Sequence, residues 1–81
     1  MKVTILYFAH LPDRTGTREE TRNVPDGVSA GQLRKLLESE HPRLAGALES
    51  CRVAVNEEFV QDETPLADGQ TVAFIPPVSG G

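Results

Sequence analysis

Two apolar segments at opposite ends of the chain, Lys2–Phe8 and Thr71–Ile75, constrain the fold more than anything between them. Residues 2–9 are rich in β-branched and aromatic types, the composition of a strand. Val3, Ile5 and Tyr7 fall on one face of that strand, Leu6 and Phe8 on the other. The last segment repeats the pattern, with Val72 and Phe74 on one face and Ala73 and Ile75 on the other. A strand that is apolar on both faces is predicted to sit centrally in a sheet or to be covered on two sides. Two such strands in a chain of 81 residues are best placed side by side. The chain is also too short to divide into two domains that each bury a workable core, so it forms one.

The intervening sequence supplies what such a sheet needs. Residues 10–17, containing Pro12, Asp13 and Gly16, read as a loop. Residues 18–24 read as a second strand, hairpin-paired to the first, and Pro25-Asp26-Gly27 as a turn. Ser29 followed three residues later by Gln32 is a capping box, and Val28 with Leu33 occupies the hydrophobic-staple positions. Leu33, Leu36 and Leu37 form one apolar stripe, which assigns them to the core and leaves Arg34, Lys35, Glu38 and Glu40 to the surface. Pro42 ends the helix near His41. Leu44 and Leu48 suggest a short helical turn. Residues 52–56 read as a strand, Phe59-Val60 as a short extended piece, and residues 64–69 as a loop closing on Asp68-Gly69. A hairpin, a helix laid across it and a final strand beside the first make an α+β, β-grasp arrangement: a mixed sheet with one main helix. The expected division is a domain over residues 1–75 and an extended tail over 76–81.

That tail is chemically distinctive. Pro76 and Pro77 stiffen the exit from the last strand, and Gly80-Gly81 carries no side chain. Four extended residues beyond the prolines reach roughly 13 Å, enough to enter another protein's active site. A terminal carboxylate ionises at a pKa of about 3.3–3.7 and is inert until it gains a leaving group.

Charge and composition remove several classes. A net charge of −4 speaks against nucleic acid as a partner. No apolar run approaches a membrane span, and the N-terminus lacks a signal-peptide pattern, so a cytoplasmic protein is expected. Cys51 is the single cysteine, which excludes an internal disulfide and a cysteine-built zinc site. Its simplest reading is a small residue beside a strand. His10 and His41 lie far apart and are expected at the surface, with no metal bound. Residues 1–43 carry seven Lys/Arg and six Asp/Glu, residues 44–81 one and six. The acidic tail-bearing half is a solvated surface, or else steers the chain toward a basic partner.

The run Val72-Ala73-Phe74-Ile75-Pro76-Pro77-Val78-Ser79-Gly80-Gly81 resembles the C-terminal signature of the ubiquitin-like sulfur carriers, and most closely of molybdopterin synthase small subunits. Phe8-Ala9, Val55-Asn56 and Leu66-Ala67-Asp68-Gly69 match as well. The resemblance implies that a ubiquitin-activating-type adenylating enzyme uses ATP to make an acyl-adenylate on Gly81. Sulfur then replaces AMP, giving a thiocarboxylate beside Gly80. It further implies that the tail, Ile75 to Ser79 included, inserts into the synthase large subunit and donates dithiolene sulfur to cyclic pyranopterin monophosphate. The carrier would hold no cofactor and would not be an enzyme on its own. Phe8, Phe59, Phe74 and Ile75 are candidate anchors for the partner, Phe8 and Phe74 fitting core or interface alike, while Val72 is assigned to the core. Activation of a terminal glycine is shared with thiamin-pathway and tRNA-thiolation carriers and with protein modifiers joined to lysine. A β-grasp binding module with a purely structural tail is the remaining class. The tail chemistry alone leaves these open.

Overall fold

The computed structural model describes residues 1–77. Five strands form one mixed sheet in the order β2-β1-β5-β3-β4: β1 Lys2–Tyr7, β2 Glu19–Asn23, β3 Arg52–Val55, β4 Glu58–Val60 and β5 Thr71–Ile75. The two doubly apolar segments are adjacent and parallel, with Ile5 opposite Val72 and Tyr7 opposite Phe74. Every other pairing is antiparallel. Both edges are guarded. β2 presents Glu19, Glu20 and Arg22, and β4 is three residues long, features that discourage pairing with another chain.

The main helix, α2 (Ala30–Glu40), lies over one face of the sheet. Ser29 accepts from the Gln32 amide and the Gln32 side chain accepts from the Ser29 amide, closing the expected capping box. Leu33 and Leu37 are fully buried against Val3, Ile5, Val53, Val72 and Phe74, while Leu36 lies at the margin of that core. Removing this much aliphatic and aromatic surface from water is the dominant favourable contribution to folding, about 1.5–3 kcal/mol for each large side chain.

Three expectations are corrected. Residues 10–17 are not simply a loop: Pro12–Thr15 form a short helix, α1, that ends on Gly16 at φ 81°, and Leu11 just before it is fully buried. Its Pro at the first helical position and Gly at the end follow the usual asymmetry. Arg34 is not a surface residue. It is buried, and its Nη1 donates to the carbonyls of Leu48 and, at 2.8 Å, Cys51, while Nη2 pairs with Asp62 at 2.8 Å. One guanidinium thereby ties together two carbonyls of the irregular segment between the 3-10 turn Pro42–Leu44 and β3, of which that of Leu48 also accepts from the Cys51 amide at 3.1 Å. Phe74 is also core, with no surface exposed, and lies below the Arg34 guanidinium at 5.8 Å.

The start of α2 receives the loop after β4. The amides of Ala30 and Gly31 donate to the carbonyls of Thr64 and Asp62, both at 2.9 Å. That contact requires a glycine: a Cβ at position 31 would lie 2.9 Å from the Asp62 Cβ and 3.2 Å from its carbonyl oxygen. Gly31→Ala is therefore expected to destabilise the fold by about 1–3 kcal/mol, although glycine to alanine in an open helix stabilises by roughly 1 kcal/mol. Urea denaturation gives the sign directly, and a stabilised variant would show that the loop yields.

Candidate functional site

The face of the sheet opposite α2 carries no other element of this chain among the described residues. Strand alternation builds it. Because Leu6 pairs with Ala73, Ala73 with Ala54 and Ala54 with Phe59, these four side chains form one row across β1, β5, β3 and β4. The next row toward the end of β5 contains Ile75 and its partner Arg52, with Phe8 beside them, its amide donating to the Phe74 carbonyl at 3.3 Å. Two alanines at the centre and larger side chains around them leave a shallow apolar cleft of about 270 Å³, lined by Leu6, Phe8, Ala54, Phe59, Ala73 and Ile75.

Phe8 is 44% exposed and Phe59 53%. They are the large apolar side chains standing out into solvent among the described residues, and both belong to this one cleft. An exposed apolar patch built on rigid strands is the usual mark of an interaction surface. The Arg52 guanidinium stacks over the Phe59 ring at 3.7 Å, holding the ring in place by a cation–π contact. Of the two placements expected for β1, central in the sheet or covered on two sides, the first holds: it lies between β2 and β5 and is covered on one face. Its Val3, Ile5 and Tyr7 face is buried; its Leu6 and Phe8 face is open.

The cleft lies beside the root of the tail. β5 runs parallel to β1, so Ile75 ends the strand level with Phe8; Pro76 is buried and Pro77 is exposed. Ile75 is half-buried in the cleft wall. Val78, Ser79, Gly80 and Gly81, which carry the proposed chemistry, lie outside the described residues. At the opposite end the β3–β4 turn is made by Asn56 and Glu57 at φ 48° and 73°, the twist that suits a two-residue hairpin. The Asn56 amide donates to the Thr71 carbonyl at 2.8 Å and its Oδ1 accepts from the Thr71 amide at 3.0 Å, which fixes where β5 begins.

Of the anchors expected from sequence, Phe8, Phe59 and Ile75 come together in the cleft, and Phe74 does not, because it points to the other side of the sheet. Leu6, Arg52, Ala54 and Ala73 were not singled out. Their signal was the alternation itself, which places every second residue of each strand on this face.

Other reactive groups are accounted for. Cys51 is buried, its thiol donates to the Ala47 carbonyl at 3.3 Å, and burial raises its pKa above the ordinary 9.0. It is an inert packing residue. His10 is exposed, whereas His41 is half-buried, packing edge-on against Tyr7 at 6.3 Å with Nε2 3.1 Å from Glu20. Among the described residues no group of His, Cys, Asp and Glu is placed to hold a metal ion, and no helix is long and apolar enough to cross a membrane.

The residues of this chain match the ThiS family model from position 5 to position 81. The chain belongs to the ThiS family. A human relative, a molybdopterin synthase sulfur carrier subunit, is 42% identical, the match covering 99% of this chain and 94% of the relative. Among solved structures, SAMP1 from Haloferax volcanii is similar with a TM-score of 0.88 and 26% identity over the whole of both chains. A complex of subunits 1 and 2 of the molybdopterin-converting factor from Helicobacter pylori contains a chain that matches with a TM-score of 0.74 and 27% identity, again over the whole of both. These likenesses agree with the ubiquitin-like β-grasp fold, its mixed five-stranded sheet and its one main helix.

Tyr7, Glu20, Arg22, Glu40 and His41 form the polar flank of this family member's sheet. The Tyr7 hydroxyl donates to Glu20 at 2.8 Å, and Arg22 pairs with Glu20 at 3.2 Å and with Glu40. Burial pushes the Glu20 pKa up, but the hydrogen bonds from Tyr7 and Arg22 and the nearby His41 outweigh it and leave the carboxyl below its ordinary 4.5. A lowered folded pKa contributes stability that is present above the ordinary carboxyl range and is lost as pH falls through it. Glu20→Gln is expected to lower stability near pH 7 by about 1 kcal/mol and by less near pH 3. Thermal melts across that range check this; a gap that widens toward acid contradicts it.

Proposed function

We propose that this ThiS family member is the sulfur carrier subunit of a molybdopterin synthase. The observation that carries the reading is 42% identity, across nearly the full length of both chains, to a molybdopterin synthase sulfur carrier subunit. The fold supports it: the central strand, β5, ends at Ile75, and Pro76-Pro77 follow it at once in the sequence, ahead of the terminal glycines.

In this reading the sheet is a handle and the tail is the working part. An adenylating enzyme of the ubiquitin-activating type presents ATP to the Gly81 carboxylate. An oxygen of the carboxylate attacks the α-phosphorus, pyrophosphate leaves, and Gly81 becomes an acyl-adenylate. Sulfide then attacks the acyl carbon and displaces AMP, which leaves a thiocarboxylate as the terminal group. The large subunit receives the tail, and its pocket supplies the acid–base groups that move this sulfur onto the pterin precursor. Gly80 and Gly81 suit a narrow channel because neither has a Cβ. The apolar cleft of Phe8, Phe59 and Ile75 is the docking surface for the large subunit, its aromatic side chains serving as the buried anchors of the interface.

Intact mass spectrometry after incubation with the adenylating enzyme, ATP and a sulfur source tests the chemistry. The expected result is replacement of one oxygen by sulfur, located on Gly81. Gly81→Ala, or a residue added after Gly81, is expected to abolish transfer and leave the fold intact. Full transfer by an extended, unprocessed chain refutes the mechanism, and isopeptide conjugates without any sulfur gain point to a protein modifier instead.

Docking is tested separately. Phe8→Asp combined with Phe59→Asp is expected to weaken binding to the large subunit at least a hundredfold. Because both side chains are about half exposed in the free protein, the melting temperature should change little. Unchanged affinity would place the interface elsewhere.

A further inference from the structure

Phe59 stands where the sheet holds a side chain least. Its strand, β4, is three residues long and lies at the edge of the sheet, with a neighbour on one side only. Ala54 is directly opposite Phe59, and Ala73 follows Ala54 on β5. The ring is therefore half in water beside a recess whose floor is two methyl groups. An exposed aromatic ring next to such a recess gains by turning inward, because apolar surface leaves water and new dispersion contacts form. That movement would fill the cleft with one of its own walls.

Arg52 opposes it. Because Ala54 faces Phe59, Arg52, two residues earlier on β3, is the diagonal neighbour of the ring on the same face, a separation that long side chains bridge. Its guanidinium lies 3.7 Å from the ring centroid. Among the described residues it makes no ion pair that would draw it elsewhere. The backbone beneath it is better fixed than that of Phe59, since β3 is paired on both sides and Arg52 itself is opposite Ile75. A planar cation stacked on an aromatic face is attracted by the ring quadrupole and matches its shape. The ring so held leaves the cleft beside it open.

We infer that Arg52 is a positioning residue for docking: it holds Phe59 in the orientation that keeps the cleft open, so that this wall is formed before the large subunit arrives. The inference rests on the docking surface proposed above and adds the residue that pre-forms it. Arg52 acts through the ring and needs no contact of its own with the partner. A side chain already ordered in the free protein spares the complex the entropy of ordering it, an effect of about 2- to 12-fold in affinity for one side chain. Lysine is a poor substitute here, because its ammonium is a strongly hydrated point charge without a plane to stack.

Two measurements on the full-length carrier test this. In the free protein, NMR cross-relaxation between the Phe59 ring protons and the Ala73 methyl reads the position of the ring; it is expected to strengthen in Arg52→Ala, and an unchanged signal overturns the inference. Calorimetric titration with the large subunit then closes a double-mutant cycle over the wild type, Arg52→Ala, Phe59→Leu and the double variant. Arg52→Ala is expected to weaken binding about fivefold with Phe59 present and less than twofold with leucine there, and Arg52→Lys to restore less than half of the loss. Arg52 is exposed, so the melting temperature should change little. Equal losses in both backgrounds, or full recovery with lysine, would show that the charge itself meets the partner and overturn the positioning role. The two readings fail separately. A wild-type carrier that does not bind the large subunit overturns the docking surface and with it the part played by Arg52, whereas one that binds but shows equal losses in the cycle overturns the part played by Arg52 alone.

Discussion

The parallel pairing of β1 with β5 is the contact on which the rest of this molecule depends. It joins the two ends of the described chain, with Thr4 opposite Thr71, so more than sixty residues must be folded back before it can form. Such long closure is entropically unfavourable, and the apolar faces of both strands offset it. On one side Val3, Ile5, Tyr7, Val72 and Phe74 become the floor of the core. The same pairing brings Phe8 and Ile75 level with each other and sends Pro76 out at that end. Core, cleft and tail root are therefore set by one register. A slip of one residue would exchange the buried and open faces of a strand.

Much of this was legible in the sequence, for identifiable reasons. Strand alternation and the capping box are local, so the two central strands, the start of α2 and its leucine stripe could be read from spacing alone. Arg34 shows where that stops. On a helical wheel it sits beside Leu33 and Leu37, and its charge assigned it to solvent. What buries it is a set of carbonyls at Leu48 and Cys51 and a carboxylate at Asp62, 14 to 28 residues away, none of which has a local pattern. Phe74 fails differently. Alternation gave its face correctly, with Val72, but not which face would be covered by the helix. Leu11 was hidden in a segment whose Pro, Asp and Gly signal a turn, though Pro12 and Gly16 also bracket a short helix.

The double apolarity of β1 and β5 was read as a sign of a central place in the sheet or of cover on two sides, and both strands are central. The structure separates two meanings of that pattern. On the α2 side the strands carry large residues in full contact with the helix. On the other side the centre is Ala54 and Ala73, which fill little space, and the bulk is displaced outward to Phe8 and Phe59. A face meant to be covered by the same chain would carry large side chains at its centre, where most area can be buried. Small residues at the centre and aromatics at the margin instead make a recess that another surface can fill. The composition of the face, not its hydropathy, distinguishes a core from a docking site.

A rigid fold serves the proposed chemistry because the tail has almost no means of recognition. Glycine offers neither side-chain contacts nor a preferred backbone conformation, and ordering it in a channel loses more entropy than ordering any other residue. In the proposed function the free energy for insertion therefore has to come from elsewhere on the molecule. The Phe8–Phe59 cleft can provide it if its distance from Gly81 is fixed up to the last possible residue, since each flexible link lowers the effective concentration of the tail at the channel. Pro76 and Pro77 continue the stiffness of β5 past the end of the sheet, and the buried Pro76 ties the first link to the domain. In the proposed function, binding energy collected on the sheet is in this way delivered to a group that cannot generate its own.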